Sequence, residues 1–163
     1  MFYSVSEAAL AHIKTHFGSS EKSGSKFNLD VFPDVDLLIL ELSNMEPVKS
    51  IQQSGGRVAH EYYFPNLAFT GFIGVGLRKD FPYAKIKTEI RNGFVTEFLE
   101  VKNLLKTLYV TVIAEMKDNG YHLITIFPGR YTPAFPYQGM SEEERLFAEK
   151  FWKAHILLKG GVC

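Results

Sequence analysis

TLYVTVIAEMKDNGYHLITIFPGRYTPAFP (107–136) is the stretch on which the fold turns. Its first ten residues are rich in β-branched and aromatic side chains, the composition of a long strand. KDNG (117–120) carries the chemistry of a tight turn. YHLITIF (121–127) then alternates as a second strand, and Pro128-Gly129 breaks it. Two strands joined so closely must run antiparallel. Beyond the break, Arg130 and Tyr131 stand at the strand end in an aromatic, proline-rich loop.

The same alternation extends toward the N-terminus. RVAHEYYF (57–64), LAFTGFIGVGL (67–77), YAKIKTEIR (83–91) and FVTEFLEV (94–101) all read as strands. Asn92-Gly93 between the last two is a strong two-residue hairpin signal. KNLLK (102–106) reads as a connecting loop or a helical turn. Residues 57–136 therefore predict an antiparallel meander of about four to six strands.

Helices flank this sheet. Ser4 and Glu7 have capping-box spacing, and Val5, Ala9, Leu10, Ile13 and Phe17 share a face, which predicts a helix over 4–17 ended by Gly18. VDLLILEL (35–42) fits a buried strand or a helix, because periodicity does not separate the two in a short apolar run. Pro47 fits a first helical turn, with that helix running to Ser54. Residues 1–56 thus read as mainly helical. Ser141 and Glu144 repeat the capping spacing and open a helix over 141–159, with Phe147, Phe151, Trp152, His155 and Leu158 mostly on one side. With no internal repeat or linker, the chain reads as a single α+β domain whose sheet packs against N- and C-terminal helices.

Composition narrows the function classes. At 163 residues the chain is long enough for one real core. The only cysteine is Cys163, so neither an intrachain disulfide nor a multi-cysteine zinc site can form. There is no apolar run long enough to span a bilayer, and MFYSVSEAALAHIK (1–14) lacks the basic start and apolar core of a secretory signal, so a cytoplasmic protein is expected. Net charge is zero but uneven: residues 1–66 hold five Lys/Arg against eight Asp/Glu (−3), and residues 67–106 hold seven against four (+3). A strongly basic nucleic-acid binder is excluded, while a local positive face is allowed.

The strand period sorts the side chains. Lys85, Lys87 and Arg91 fall on one face of their strand, and Tyr109, Thr111 and Thr125 on the polar faces of theirs. Cations and hydroxyls without a carboxylate cluster suit an anion such as phosphate. An ordinary solvated sheet face gives the same pattern. Among the histidines, His12 and His16 are four apart on a helix, but HIKTH lacks the glutamate of a zinc-protease motif, so a helix face is the simpler reading. His122 alternates with the apolar set of its strand and His155 faces the same core from the last helix, so both are expected in the core. His60, in AHEYYF between glycine and proline breaks, is the candidate proton acceptor. GFIGVG (71–76) lacks the GxGxxG order, and there is no Walker loop and no GxSxG elbow, so no cofactor is expected.

The leading helix, the meander and a final strand reading HLITIFPG (122–129) resemble the barnase–EndoU–RelE-like nuclease superfamily. Many toxin nucleases of that group end their sheet on His-x-x-Thr-x-x-Pro, matched here by His122, Thr125 and Pro128. The resemblance covers roughly 57–136. It implies metal-independent RNA cleavage, in which a ribose 2′-hydroxyl attacks the adjacent phosphate to give a cyclic phosphate. Under it His60 is the base, Thr125 and Tyr131 hydrogen-bond the reacting group, and Arg91, Arg130 and Lys85 bind phosphate. RNA is then the partner, with a protein inhibitor as a second. The alternative is a non-enzymatic interaction module, an immunity or adaptor protein, anchored by the aromatics of EYYFP (61–65) and RYTPAFPY (130–137). A small-ligand pocket lined by Phe147, Phe151 and Trp152 ranks below both.

Overall fold

The computed structural model describes residues 3–17, 25–91, 93–118 and 120–161. The hairpin deduced from 107–127 is its centre. β10 (Tyr109–Lys117) and β11 (Gly120–Pro128) pair antiparallel, and β4 (Arg57–Tyr63) lies on the other side of β10. β3 (Lys49–Gln52) extends that sheet beyond β4, and the two-residue β1 (Tyr3–Ser4) runs parallel along β11. The order is β1-β11-β10-β4-β3.

One face of this sheet carries the main core. Val58, Tyr62, Val110, Val112, Ala114, Leu123 and Ile126 are buried there with Ile13 and Leu38 of two helices. α1 (Glu7–Lys14) starts two residues later than the sequence predicts: Ser6 is its cap, accepting the Ala9 N–H at 3.1 Å, and Ser4 belongs to β1. VDLLILEL is α2 (Val35–Ser43), because Asp34 caps it through the Leu37 N–H at 2.9 Å. Val35, Leu38 and Leu42 then form its buried stripe. The helix expected over 47–54 is instead β3.

A second, smaller core holds Phe72, Leu99, Leu104, Ile156 and Leu158. Here the C-terminal helix differs from expectation. α3 (Glu142–Ala154) ends five residues early, and His155–Gly161 is β12. Ile156 and Leu158 are both fully buried, which a strand allows and a helix does not, since two residues apart means about 200° around a helix. β12 runs parallel to β8 (Phe94–Asn103) and antiparallel to β6 (Val75–Leu77), with β7 (Lys87–Arg91) outside β8. LAFTGFIGVGL splits at Gly74: β5 (Gly71–Ile73) joins β2 (Lys26–Phe27) and β9 (Leu105–Thr107) in a third sheet. A Cβ on Gly71 would run into the Lys26 carbonyl, so only glycine lets β2 approach. The α+β architecture stands with twelve strands among the described residues, more than the four to six expected. Among the described residues no helix is long and apolar enough to cross a membrane.

Candidate functional site

A β-bulge decides which side chains reach the site. Ile113 faces Thr125 but Ala114 faces Leu123, so Ile124 is an extra residue in β11. The insertion exchanges faces along the strand. Ile126 and Leu123 both enter the core, whereas Thr125 and Phe127 point to the opposite side. It also turns His122 out of the core. That residue is exposed, with the Ser4 hydroxyl 2.5 Å from its Nδ1, contrary to the buried histidine that strict alternation predicts.

On the side of Thr125 and Phe127 lies a cleft of about 950 Å³. β10 and β11 give it one wall through Tyr109, Thr125 and Phe127. The loop 128–132 continues that wall with Arg130, Tyr131 and Thr132. The end of α1 supplies His12, Thr15 and His16, the α3–β12 junction Phe151 and His155, and the smaller sheets Arg91, Lys106 and Thr107. Two guanidinium groups, one lysine, three imidazoles and several hydroxyls meet there, and no described carboxylate lines the space. The Thr125 hydroxyl is buried without a hydrogen-bond partner, which leaves its donor and acceptor capacity unspent in the cleft wall.

The 128–132 loop is held from below. The Gly129 N–H donates to the Tyr109 carbonyl at 2.9 Å, and the Thr111 hydroxyl donates to the Gly129 carbonyl at 2.8 Å. Beneath it is Glu61, only 2% exposed, whose Oε2 accepts the Tyr131 N–H at 2.7 Å and lies 3.5 Å from Arg130 Nε. Arg130 also lies over the Tyr109 ring, 5.1 Å from its centre. The Tyr131 hydroxyl accepts from the Gln53 amide, and its ring stacks on Phe147. Burial raises the phenol's pKa, which keeps it a proton donor at neutral pH. Glu61 was missed in the sequence. Its signal was the one carboxylate of the strand RVAHEYY (57–63), on the face opposite Val58 and Tyr62.

Two histidines of the cleft have assigned tautomers. His16 Nδ1 faces the Ser25 carbonyl at 2.9 Å and His155 Nδ1 faces the Phe151 carbonyl at 2.8 Å. A carbonyl only accepts, so each Nδ1 carries hydrogen and the neutral ring's lone pair is on Nε2. His155 starts β12 rather than ending a helix, and its ring stacks on Phe151 at 3.8 Å. Burial pushes His16 down to about 4, against the opposing pull of the Ser25 bond, so it is neutral at physiological pH. His12 meets the His16 ring edge-on. Among the described residues, no group of three His, Cys, Asp or Glu side chains is placed to hold a metal ion.

The structure brings Thr125, Tyr131, Arg91 and Arg130 into one cleft. His60 is not with them. It pairs with Val112 in the register that puts Val58 and Tyr62 into the core, on the other face of the sheet from Thr125. It is 3% exposed, 2.7 Å from the Ser50 hydroxyl and packed edge-on against Tyr121, and burial lowers its pKa. A ring enclosed on the core side cannot take a proton from a ligand in this cleft, so the base expected at His60 is corrected. Lys85 is also outside: it lies on the exposed segment before β7, because only 87–91 of the predicted strand is paired. Phe151 lines the cleft, but Phe147 and Trp152 pack around the 131–135 loop instead.

No family model matches this chain. No curated protein and no solved structure matches it either. The functional reading therefore rests on the cleft's own chemistry.

Proposed function

We propose that the cleft binds the sugar–phosphate backbone of RNA and that the protein is an endoribonuclease of toxin type acting without a metal. The observation that carries this reading is the lining itself: Arg91, Lys106 and Arg130 with Thr125, Tyr131 and three histidines, and no described carboxylate. Cations gathered at one space stabilise the charge that builds on phosphate during transfer. Tyr109, Phe127 and Phe151 add apolar ring surface suited to sugars and bases.

With His60 in the core, the base passes to a cleft histidine. His155 fits the role best, because its Nδ1–H is fixed on the Phe151 carbonyl and the lone pair stays on Nε2. In the proposed step Nε2 removes the 2′-hydroxyl proton and the 2′-oxygen bonds to phosphorus. The bond from phosphorus to the 5′-oxygen breaks, that oxygen takes a proton from exposed His12, and a 2′,3′-cyclic phosphate remains. Arg130 is assigned to the non-bridging oxygens.

Incubating the purified chain with total RNA, with and without EDTA, tests the reading. Cyclic-phosphate ends formed equally in both, and a loss of roughly 100-fold or more for His155→Gln, are expected. Absence of cleavage, cleavage that EDTA stops, or a fully active His155→Gln overturns it. A second reading is favoured by one observation. Phe135, Tyr137 and Phe147 are exposed beside the cleft, as anchors for a protein partner would be. A binding module of that kind leaves RNA intact and loses its partner with Phe147→Ser.

A further inference from the structure

β7 is the outer strand of its sheet, and no described strand pairs with its far edge. Its hairpin with β8 sets Ile90 across from Val95, and these are 79% and 74% exposed. Ile86, just before the strand and in step with Ile90, is 48% exposed. A bare edge with β-branched residues on its open face invites another strand, and sheets normally guard against it. In a two-residue hairpin the closing pair, here Arg91 and Phe94, bonds inward. By alternation the N–H and C=O groups of Thr88 and Ile90 point out from the sheet.

We propose that this edge pairs antiparallel with the same edge of a second copy of the chain, about a two-fold axis through Thr88. The charge pattern favours that partner and, over axes through Lys87 or Glu89, that register. Residues 86–90 read Ile-Lys-Thr-Glu-Ile, which is its own antiparallel complement. About Thr88, each Ile86 faces the second copy's Ile90, each Lys87 faces the second copy's Glu89, and threonine faces threonine. All three are favourable cross-strand pairs. An axis through Glu89 sets glutamate against glutamate and Lys87 against Arg91. An axis through Lys87 sets lysine against lysine. Like charges directly opposite are destabilising, so both alternatives lose.

The pairing also extends contacts already present in one chain. Lys87 reaches Glu100 at 2.7 Å, and Glu89 sits between Lys159 at 2.5 Å and Arg91 at 3.2 Å. One pair opposes it. Lys85 faces the second copy's Arg91 at each end, a cost reduced by the Arg91–Glu89 ion pair. Five residues a side make a small isologous contact, so the dimer is weak and concentration-dependent. It stands independently of the ligand assigned to the cleft.

Sedimentation analysis of the full chain carrying Cys163→Ser tests it. A monomer–dimer equilibrium is expected, and Ile90→Asp raises the dissociation constant roughly tenfold or more with an unchanged circular-dichroism spectrum. On the same background Thr88→Cys oxidises to a covalent dimer, because residues on the axis of an antiparallel pair lie within about 4.4–6.8 Å, the span of a disulfide. Lys102→Cys, exposed on β8, does not. A chain that stays monomeric at its highest soluble concentration overturns the proposal. So does a dimer indifferent to Ile90→Asp, or one that cross-links no better through Thr88→Cys than through Lys102→Cys.

Discussion

A buried carboxylate is stable only where hydrogen bonds and opposite charge replace its lost water, and Glu61 has both from one loop. Tyr131 gives it an N–H and Arg130 a guanidinium, so the same contact that satisfies Glu61 fixes the cleft wall. Its other oxygen is buried without a partner, so the site has little reserve. Glu61→Ala is expected to cost about 2 kcal/mol, mostly from stranding the Tyr131 N–H, since the exposed Arg130 guanidinium keeps its water. Urea unfolding measures it. Glu61→Gln keeps an acceptor for the N–H and should retain more than half of that stability; equal losses in the two variants would show that shape alone matters at this position.

His16 and His60 share a sign. Burial lowers both, so in the acid range the unfolded chain binds protons that the native chain refuses. Their contribution is complete above the unfolded value near 6.5 and is lost as pH falls toward the folded values. For His16, down to about 4, the loss is of the order of 3 kcal/mol. The melting temperature should fall steadily between about pH 6.5 and 4, and His16→Gln should flatten that fall.

At the scale of elements, caps and bulges decided what periodicity left open. Asp34 is the reason 35–43 is a helix rather than a strand, since its carboxylate holds a backbone donor that the first turn leaves unpaired. Asp34→Ala should cost about 1 kcal/mol, read as a lower urea midpoint at unchanged slope. The Pro33-Asp34 signal was present in the sequence but was outweighed by the apolar run after it. The strands of the central hairpin were legible because two full periods of β-branched residues flank a polar turn. The bulge at Ile124 was not, because inserting a residue leaves composition untouched while reversing every face beyond it. That single insertion puts Thr125 on the face away from the core and leaves His122, which strict alternation places in the core, exposed. β12 was hidden for a related reason. Phe147, Phe151 and Trp152 set up a helical rhythm that His155 and Leu158 happen to continue, and only the partner strands β6 and β8 reveal the change to a two-residue period. His60 was singled out for its type and surroundings, and strand pairing alone shows on which face it lies.

For the whole molecule, charge arrangement limits how the proposed RNA site can work. The chain is neutral overall, so it has no long-range field to steer a polyanion and gains little from non-specific attraction. Affinity must come from cations inside the cleft, and each of those is partly engaged: Arg91 with Glu89, Arg130 with Glu61 and the Tyr109 ring, Lys106 over Phe69. Three phosphate contacts to a single strand release about two counterions, so the logarithm of the binding constant should fall against the logarithm of salt with a slope near −2. Arg91→Ala and Arg130→Ala should each reduce that slope by roughly 0.7 and weaken binding about equally across RNA sequences. Lys102→Ala, on the exposed strand β8 outside the cleft, should leave it unchanged. Fluorescence titration of a short, 2′-deoxy-blocked strand over a salt series gives all four slopes without cleavage intervening. A steep slope shared by every variant would place the phosphate contacts on the general surface and remove the cleft from the account.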